Sequence, residues 1–209
     1  MYLIPPERAT ETVFIVDDDA TFARGLARLV GAAGWQARVF ASAAEFLEAG
    51  TGEETAAGCV LLDVRMPGMR GPDLYRTMLA REMDLPVIFL TGHGDVPTSV
   101  DAMKLGAVDF LEKPVKGDRL MAVITTAIQR HVAGRKRKGE LREIESRVAK
   151  LTPRERQVMG HVVEGRLNKQ IAAQLGISLK TVKAHRAKVM DKMDAKSVAA
   201  LVDLCRQVT

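Results

Sequence analysis

The sequence predicts a doubly wound α/β domain with a five-stranded parallel sheet, followed by a small all-α domain of four helices. Three observations carry this. Short apolar runs alternate with helical segments five times between residues 12 and 131, a pattern that implies a parallel sheet covered on both faces. From residue 151 the strand signals stop. Charge divides with them: residues 1–130 hold 13 Lys+Arg against 18 Asp+Glu, a net −5, whereas residues 131–209 hold 18 against 8, a net +10. Only the second part carries the footprint of a polyanion-binding surface. The boundaries expected are 10–131 for the first domain, 132–150 for a charged helical linker and 151–209 for the second domain.

The strands are expected near 12–17, 35–40, 58–63, 86–91 and 108–111, with helices between them and a last one over 116–131. Ser42-Ala43-Ala44-Glu45 reads as a capping box, its hydroxyl and carboxylate each meeting a free backbone donor. Four of the apolar runs end in reactive side chains. Phe14-Ile15-Val16 leads into Asp17-Asp18, and Cys59-Val60-Leu61-Leu62 into Asp63. Val87-Ile88-Phe89-Leu90 leads into Thr91, and Val108-Asp109-Phe110-Leu111 into Glu112-Lys113-Pro114. After Asp63, Val64-Arg65-Met66-Pro67-Gly68 forces a loop. Ligands of open parallel sheets bind just outside the carboxyl ends of the strands. Three carboxylates, a hydroxyl and an ammonium therefore converge at one edge, a set suited to a divalent metal and a phosphoryl group. Taken singly, each has a plainer reading: solvated loop acids, a turn-forming Asp, a strand-end hydroxyl.

In the linker, Arg135-Lys136-Arg137-Lys138 lies between Gly134 and Gly139, and Leu141, Ile144, Val148 and Leu151 recur at helical spacing. Two readings stand: a solvated helix joining the domains, or a short seam that helps the chain dimerise. Beyond it, Thr152-Pro153-Arg154-Glu155 is a helix start with a Thr cap, Pro at the first position and Glu at the third. Asn168 is expected to cap a second helix through Leu175, and Gly176-Ile177-Ser178 to turn into a third from Leu179 to about Met193. A fourth covers about Ser197 to Arg206. Two short helices joined at Gly176 read as a helix-turn-helix.

On the third helix Val182, Val189 and Met193 share one face and must pack inward. Lys180, Lys183, Ala184 and Ala187 fall opposite, with Lys188 at the flank, a basic face narrow enough for a major groove. Ala184 and Ala187 permit close approach to thymine methyls. Lys183 is placed near base edges, while Lys169, Lys180 and Lys188 are assigned to phosphates. Arg186 lies near the apolar side and reads as structural. His185 reads as packed or phosphate-facing, for no His or Cys lies near it. Cys59 and Cys205 make neither a disulfide framework nor a zinc site. No stretch has the length of a membrane span and the start lacks a signal-peptide pattern, so a cytoplasmic location is expected.

Asp17-Asp18, Asp63-Val64-Arg65-Met66-Pro67-Gly68-Met69-Arg70-Gly71, Thr91-Gly92 and Lys113-Pro114, in this order at strand ends, resemble the receiver domain of two-component response regulators. Leu151-Thr152-Pro153-Arg154-Glu155, Asn168-Lys169-Gln170-Ile171-Ala172 and Thr181-Val182-Lys183-Ala184-His185-Arg186 resemble the LuxR-type helix-turn-helix of the NarL/FixJ class. Together the resemblances cover nearly the whole chain. They imply strand order 2-1-3-4-5 and Asp63 as acceptor of a phosphoryl group from a sensor histidine kinase. Mg²⁺ would be held by Asp18, Asp63 and the Arg65 carbonyl, with Asp17 acting through water. Lys113 would stabilise the transferring group, and the Lys113–Pro114 peptide is expected to be cis. A coupled shift of Thr91 and Phe110 would remodel the face of helix 97–105, strand 108–111 and helix 116–131. The implied outcome is a phosphorylation-controlled transcriptional regulator that dimerises, binds double-stranded promoter DNA with Thr181 among its contact residues, and engages RNA polymerase. Such a receiver catalyses only its own phosphorylation and dephosphorylation.

Two rivals differ in kind. Hydrolases of the haloacid dehalogenase type use an Asp nucleophile with a second Asp two residues on, where this chain has Arg65. A regulator that binds DNA without phosphorylation would not need Asp17, Asp18, Asp63, Thr91 and Lys113 together.

Overall fold

A computed structural model describes residues 11–50, 57–92 and 103–208. The chain divides into two compact units, Met1–Arg135 and Lys136–Thr209.

The first unit is built on strands β1 (Thr12–Val16), β2 (Gln36–Phe40), β3 (Gly58–Asp63), β4 (Val87–Thr91) and β5 (Asp109–Glu112), ordered β2-β1-β3-β4-β5. All four pairings are parallel. Between their polar ends the central strands β1, β3 and β4 are continuous apolar runs because both faces are covered. Phe14, Val16, Val60, Leu62 and Phe89 face a core completed by Phe46, Leu74 and Met78 from helices α2 (Ala43–Ala49) and α3 (Gly71–Ala80). The alternate residues Val13, Ile15, Leu61, Ile88 and Leu90 face the other way. They pack with Leu26 and Val30 of α1 (Ala20–Ala32) and with Leu120, Ile124 and Ile128 of α4 (Gly117–Ala149). The strands lie within a residue of expectation at each end.

Several details differ from the sequence reading. Ser42 Oγ accepts the Glu45 N–H at 3.2 Å, but the Glu45 carboxylate takes the Ala41 N–H at 2.7 Å, so the expected reciprocal box is displaced by one residue. Residues 117–149 form one helix, where a helix ending at 131 and a separate linker were expected. Glycine within an exposed helix costs only about 1 kcal/mol, so Gly134 and Gly139 do not interrupt it, and Glu143 pairs with Arg147 one turn on at 2.7 Å. The apolar stripe, read either as part of a solvated linker helix or as a dimer seam, contributes to the second unit's core: Ile144 and Leu151 are buried there with Val148 packed against them. That unit's core therefore begins within the segment read as linker. Of helix 97–105, residues 97–102 lie outside the described residues.

The second unit adds helices α5 (Pro153–Val163), α6 (Asn168–Leu175), α7 (Leu179–Lys192) and α8 (Val198–Val208). Thr152 and Glu155 form the full capping box. Asn168 does not cap α6, contrary to expectation; it is the first helical residue, and Gln170 Oε1 instead accepts the Leu167 N–H at 2.8 Å. Asn168 Oδ1 is taken by the Arg186 guanidinium at 2.7 Å, which ties α6 to α7. The turn between them places Gly176 at φ 63°, where a residue without a Cβ is favoured.

Candidate functional site

Parallel strand order brings the ends of β1, β3 and β4 and the residue after β5 to one edge, and three consecutive acids there have three separate environments. Asp17, at the end of β1, is 1% exposed. Asp18 is exposed. Asp19 caps α1, its Oδ1 accepting the Thr21 and Phe22 N–H groups at 2.9 and 3.0 Å. Asp63, at the end of β3, is 6% exposed.

Lys113 binds the two buried carboxylates together. Its ammonium donates to Asp17 Oδ2 at 2.7 Å and lies 2.7 Å from Asp63 Oδ1. The remaining oxygens are also engaged: Asp17 Oδ1 accepts the Asp19 N–H at 3.0 Å and Asp63 Oδ2 the Arg65 N–H at 2.8 Å. The backbone helps align the lysine, since its N–H donates to the Thr91 carbonyl at 2.7 Å. The Lys113–Pro114 peptide is cis.

Burial pushes the Asp17 carboxyl above its ordinary value, and the Lys113 hydrogen bond and charge only partly reverse this. Desolvation works against the Lys113 charge, but its bonds to Asp17 and Asp63 outweigh it and hold the ammonium above the usual lysine range. Two carboxylates thus share one cation at the end of a sheet.

As they stand, no three acidic, histidine or cysteine side chains among the described residues are gathered closely enough to hold a metal ion. The donor chemistry nonetheless fits Mg²⁺, which takes oxygen ligands and keeps several waters. Asp63 offers a carboxylate, Arg65 a carbonyl, and Asp18, next in sequence to Asp17, an exposed carboxylate.

Thr91 Oγ1 donates to the Gly92 carbonyl at 2.8 Å. Phe110 is half-buried and stacks on Phe89 with centroids 5.1 Å apart, so its place here is in the core packing. His93, which flanks the same edge in sequence, lies outside the described residues. Two contributors were missed in the sequence. Gly71 opens α3 directly behind Asp63, and a Cβ there would stand 2.2 Å from the Asp63 carbonyl oxygen. Phe22 lies with its ring centroid 4.4 Å from Lys113 Nζ. The first was visible as the glycine closing the loop after Asp63; the second had only its place one turn beyond Asp19 to suggest it.

The second unit presents the expected face. Val182, Val189 and Met193 are fully buried, while Lys180, Lys183, Ala184, Ala187 and Lys188 are exposed, as is Lys169 on α6. Thr181 is half-buried, and its hydroxyl meets that of the cap residue Ser178 at 2.8 Å. Arg186 is structural through its bond to Asn168. His185 is half-buried, its Nδ1 enclosed without a hydrogen-bond partner. Two residues ahead of the helix-turn-helix brace the far end of α7. The Arg147 guanidinium donates to the Met193 carbonyl at 3.1 Å, and the Lys150 carbonyl accepts from Lys192 Nζ at 3.1 Å. Beneath them Glu155, 3% exposed, takes Lys192 Nζ at 2.7 Å and the Thr152 N–H at 2.9 Å.

Residues 13–125 match the response regulator receiver domain, and residues 149–205 match the bacterial regulatory proteins of the luxR family. The chain is 46% identical over 192 residues to the transcriptional regulatory protein FixJ of Bradyrhizobium diazoefficiens, covering 92% of this chain and 93% of that one. It is 43% identical to nodulation protein W of the same organism, over 91% of this chain and 83% of the relative. Among solved structures, the response regulator StyR superposes with a TM-score of 0.87 at 40% identity, covering 95% of this chain and 99% of that one. Full-length FixJ from B. japonicum gives 0.59 at 45% identity, covering 94% and 96%. With a receiver domain followed in sequence by a basic helix-turn-helix, the chain belongs to the two-component response regulators of the NarL/FixJ class.

Proposed function

We propose that Asp63 accepts a phosphoryl group from a sensor histidine kinase and that its modification controls DNA binding by the second unit. The observation that carries the reading is the pair of 2.7 Å contacts from Lys113 to Asp17 and Asp63. A carboxylate oxygen of Asp63 attacks the donor phosphorus. The phosphorus–nitrogen bond of the phosphohistidine breaks, its electron pair stays on the imidazole nitrogen, and Asp63 becomes an acyl phosphate. Lys113 moves from the carboxylate oxygen to an equatorial phosphoryl oxygen and offsets the charge that gathers there. Asp18, Asp63 and the Arg65 carbonyl would hold Mg²⁺, with Asp17 acting through water. The ion supplies charge neutralisation that lets a polyanionic donor approach clustered carboxylates.

Phosphorylation adds about −1.5 to −2 charges and three acceptor oxygens. Thr91 turns its hydroxyl from the Gly92 carbonyl to one of these, and Phe110 moves further inward. The altered face favours a homodimer, which presents two copies of α7 to half-sites in promoter DNA and, once bound, engages RNA polymerase. Lys183, Ala184 and Ala187 face bases, while Lys169, Lys180 and Lys188 hold phosphates, with Thr181 at the same helix start. The protein works in the cytoplasm and turns over no substrate besides its own phosphate.

The test is DNA binding with and without a small acyl phosphate donor and Mg²⁺. Wild type should gain about 10-fold or more in affinity for its promoter, the scale of a typical coupling between two sites, and Asp63→Asn should gain nothing. Equal gain in Asp63→Asn would reject Asp63 as the acceptor. Equal binding by wild type in both conditions would favour the phosphorylation-independent regulator.

A further inference from the structure

We propose that Phe22 is a positioning residue for phosphoryl transfer, its ring holding the Lys113 ammonium over the acceptor carboxylate; the proposal rests on the reading of Asp63 as phosphoacceptor.

An ammonium has three donors and no acceptor. Two directions are spent on Asp17 Oδ2 and Asp63 Oδ1, each 2.7 Å away. Phe22 supplies a third neighbour, with Nζ over its ring at 4.4 Å from the centroid. That is well inside the range at which the negative face of an aromatic ring attracts a cation.

The ring's position is fixed by the same acids that line the site. The Phe22 N–H donates to Asp19 Oδ1 at 3.0 Å, and the Asp19 N–H donates to Asp17 Oδ1 at 3.0 Å. Phe22 is half-buried and packs against the core face that includes Ala23 and Leu26. One short run of chain therefore places a buried carboxylate, a helix cap and the ring around one cation.

The arrangement has a use in the transfer step. Lys113 must let go of an Asp63 oxygen and find a phosphoryl oxygen without swinging into solvent. A ring face attracts the ammonium from any direction across it, so the cation can pivot between acceptors while water is kept from that side. A leucine would fill the space but present no negative face.

The experiment uses the full chain. In wild type the ε-methylene protons of Lys113 should be shifted upfield by the ring current of Phe22, read by NMR without metal or phosphodonor. Phe22→Leu should abolish that shift and slow phosphoryl acceptance from a small acyl phosphate with Mg²⁺ by about 3–10-fold, the scale of one partly desolvated cation–ring contact. Phe22→Tyr, which keeps the ring, should retain the shift and accept phosphate within about twofold of wild type. Lys113 ε-protons at random-coil values in wild type would overturn the contact, whatever the variants do. Wild-type rates in Phe22→Leu would overturn the role, as would equal slowing in Phe22→Leu and Phe22→Tyr. A wild-type chain that accepts no phosphate would overturn the Asp63 reading, and the role with it, while leaving the NMR contact standing.

Discussion

Each unit buries a carboxylate against a lysine, and the two pairs are built to opposite ends. In the second unit Glu155 meets Lys192 and the Thr152 N–H, and these bonds, the lysine first, hold its carboxyl down to about 2. Every partner agrees. In the first unit Asp17 and Asp63 must share Lys113, and burial raises Asp17 in spite of it. The same side chains make a settled brace in one place and an unsettled cluster in the other. What separates them is stoichiometry, one cation per carboxylate against one for two, and location, beneath a helix end against the open edge of a sheet. At the site proposed to receive a phosphoryl group and a divalent ion, two carboxylates are left to share a single cation.

The largest effect should come from moving the cluster without touching its charges. Gly71→Ala puts a Cβ 2.2 Å from the Asp63 carbonyl oxygen, so the end of β3 or the start of α3 must shift. A displacement of about 1 Å at a reacting group costs up to about 100-fold. Phosphoryl acceptance should therefore fall by about 10–100-fold, measured by mass spectrometry of the intact chain over time. A rate within twofold of wild type would mean that the register of Asp63 and Lys113 does not matter.

Next in size is the exposed face of α7, where the chemistry is neither settled nor unsettled but waiting for DNA. Lys183→Ala should cost about 1–3 kcal/mol against the specific site and less against random duplex. Lys188→Ala should weaken both alike and reduce the salt slope by about one unit. Binding isotherms across a salt series separate these, and the reverse pattern would reassign the face.

The smallest effects are in stability, and they sharpen the comparison most. Because Asp17 is raised when folded, its ionisation works against folding: stability falls as pH climbs from the ordinary aspartate value through the raised one and stays lower beyond it. Asp17→Asn should therefore raise the melting temperature of the first unit at pH 7, by about 2–5 °C, while impairing phosphorylation. Glu155 has the opposite sign. Its depressed value contributes stability that is complete above about 4.5 and is lost as pH falls toward about 2. Glu155→Gln should lower the melting temperature of the second unit at pH 7 and flatten its acid limb. If both substitutions shift melting in the same direction, the contrast between the two clusters is wrong.

The sheet and its crevice were legible because the strand-end acids, Thr91 and Lys113 each follow an apolar run, and parallel topology delivers all such ends to one edge. The inner and outer faces of α7 were legible from helical periodicity alone. What escaped depends on contacts made across elements. Asn168 carries the side chain of a cap, yet the reach of Arg186 from α7 draws it away, and Leu167 takes the cap position instead. The spacing of Leu141, Ile144, Val148 and Leu151 announces an apolar stripe but not its occupant; three of them serve the second unit's core. Phe22 carries no motif, and only the fold brings it over Lys113.

The claim beneath all of this is that the unsettled cluster exists to be phosphorylated at Asp63. The most direct measurement is to treat the full chain with a small acyl phosphate and Mg²⁺, digest it at acid pH, and locate the added phosphate by mass spectrometry. The account predicts one hydroxylamine-sensitive phosphoryl group on the peptide containing residues 58–66, borne by Asp63 and absent when Mg²⁺ is withheld. Phosphate on another residue, or none with Asp63 intact and the chain folded, would contradict it.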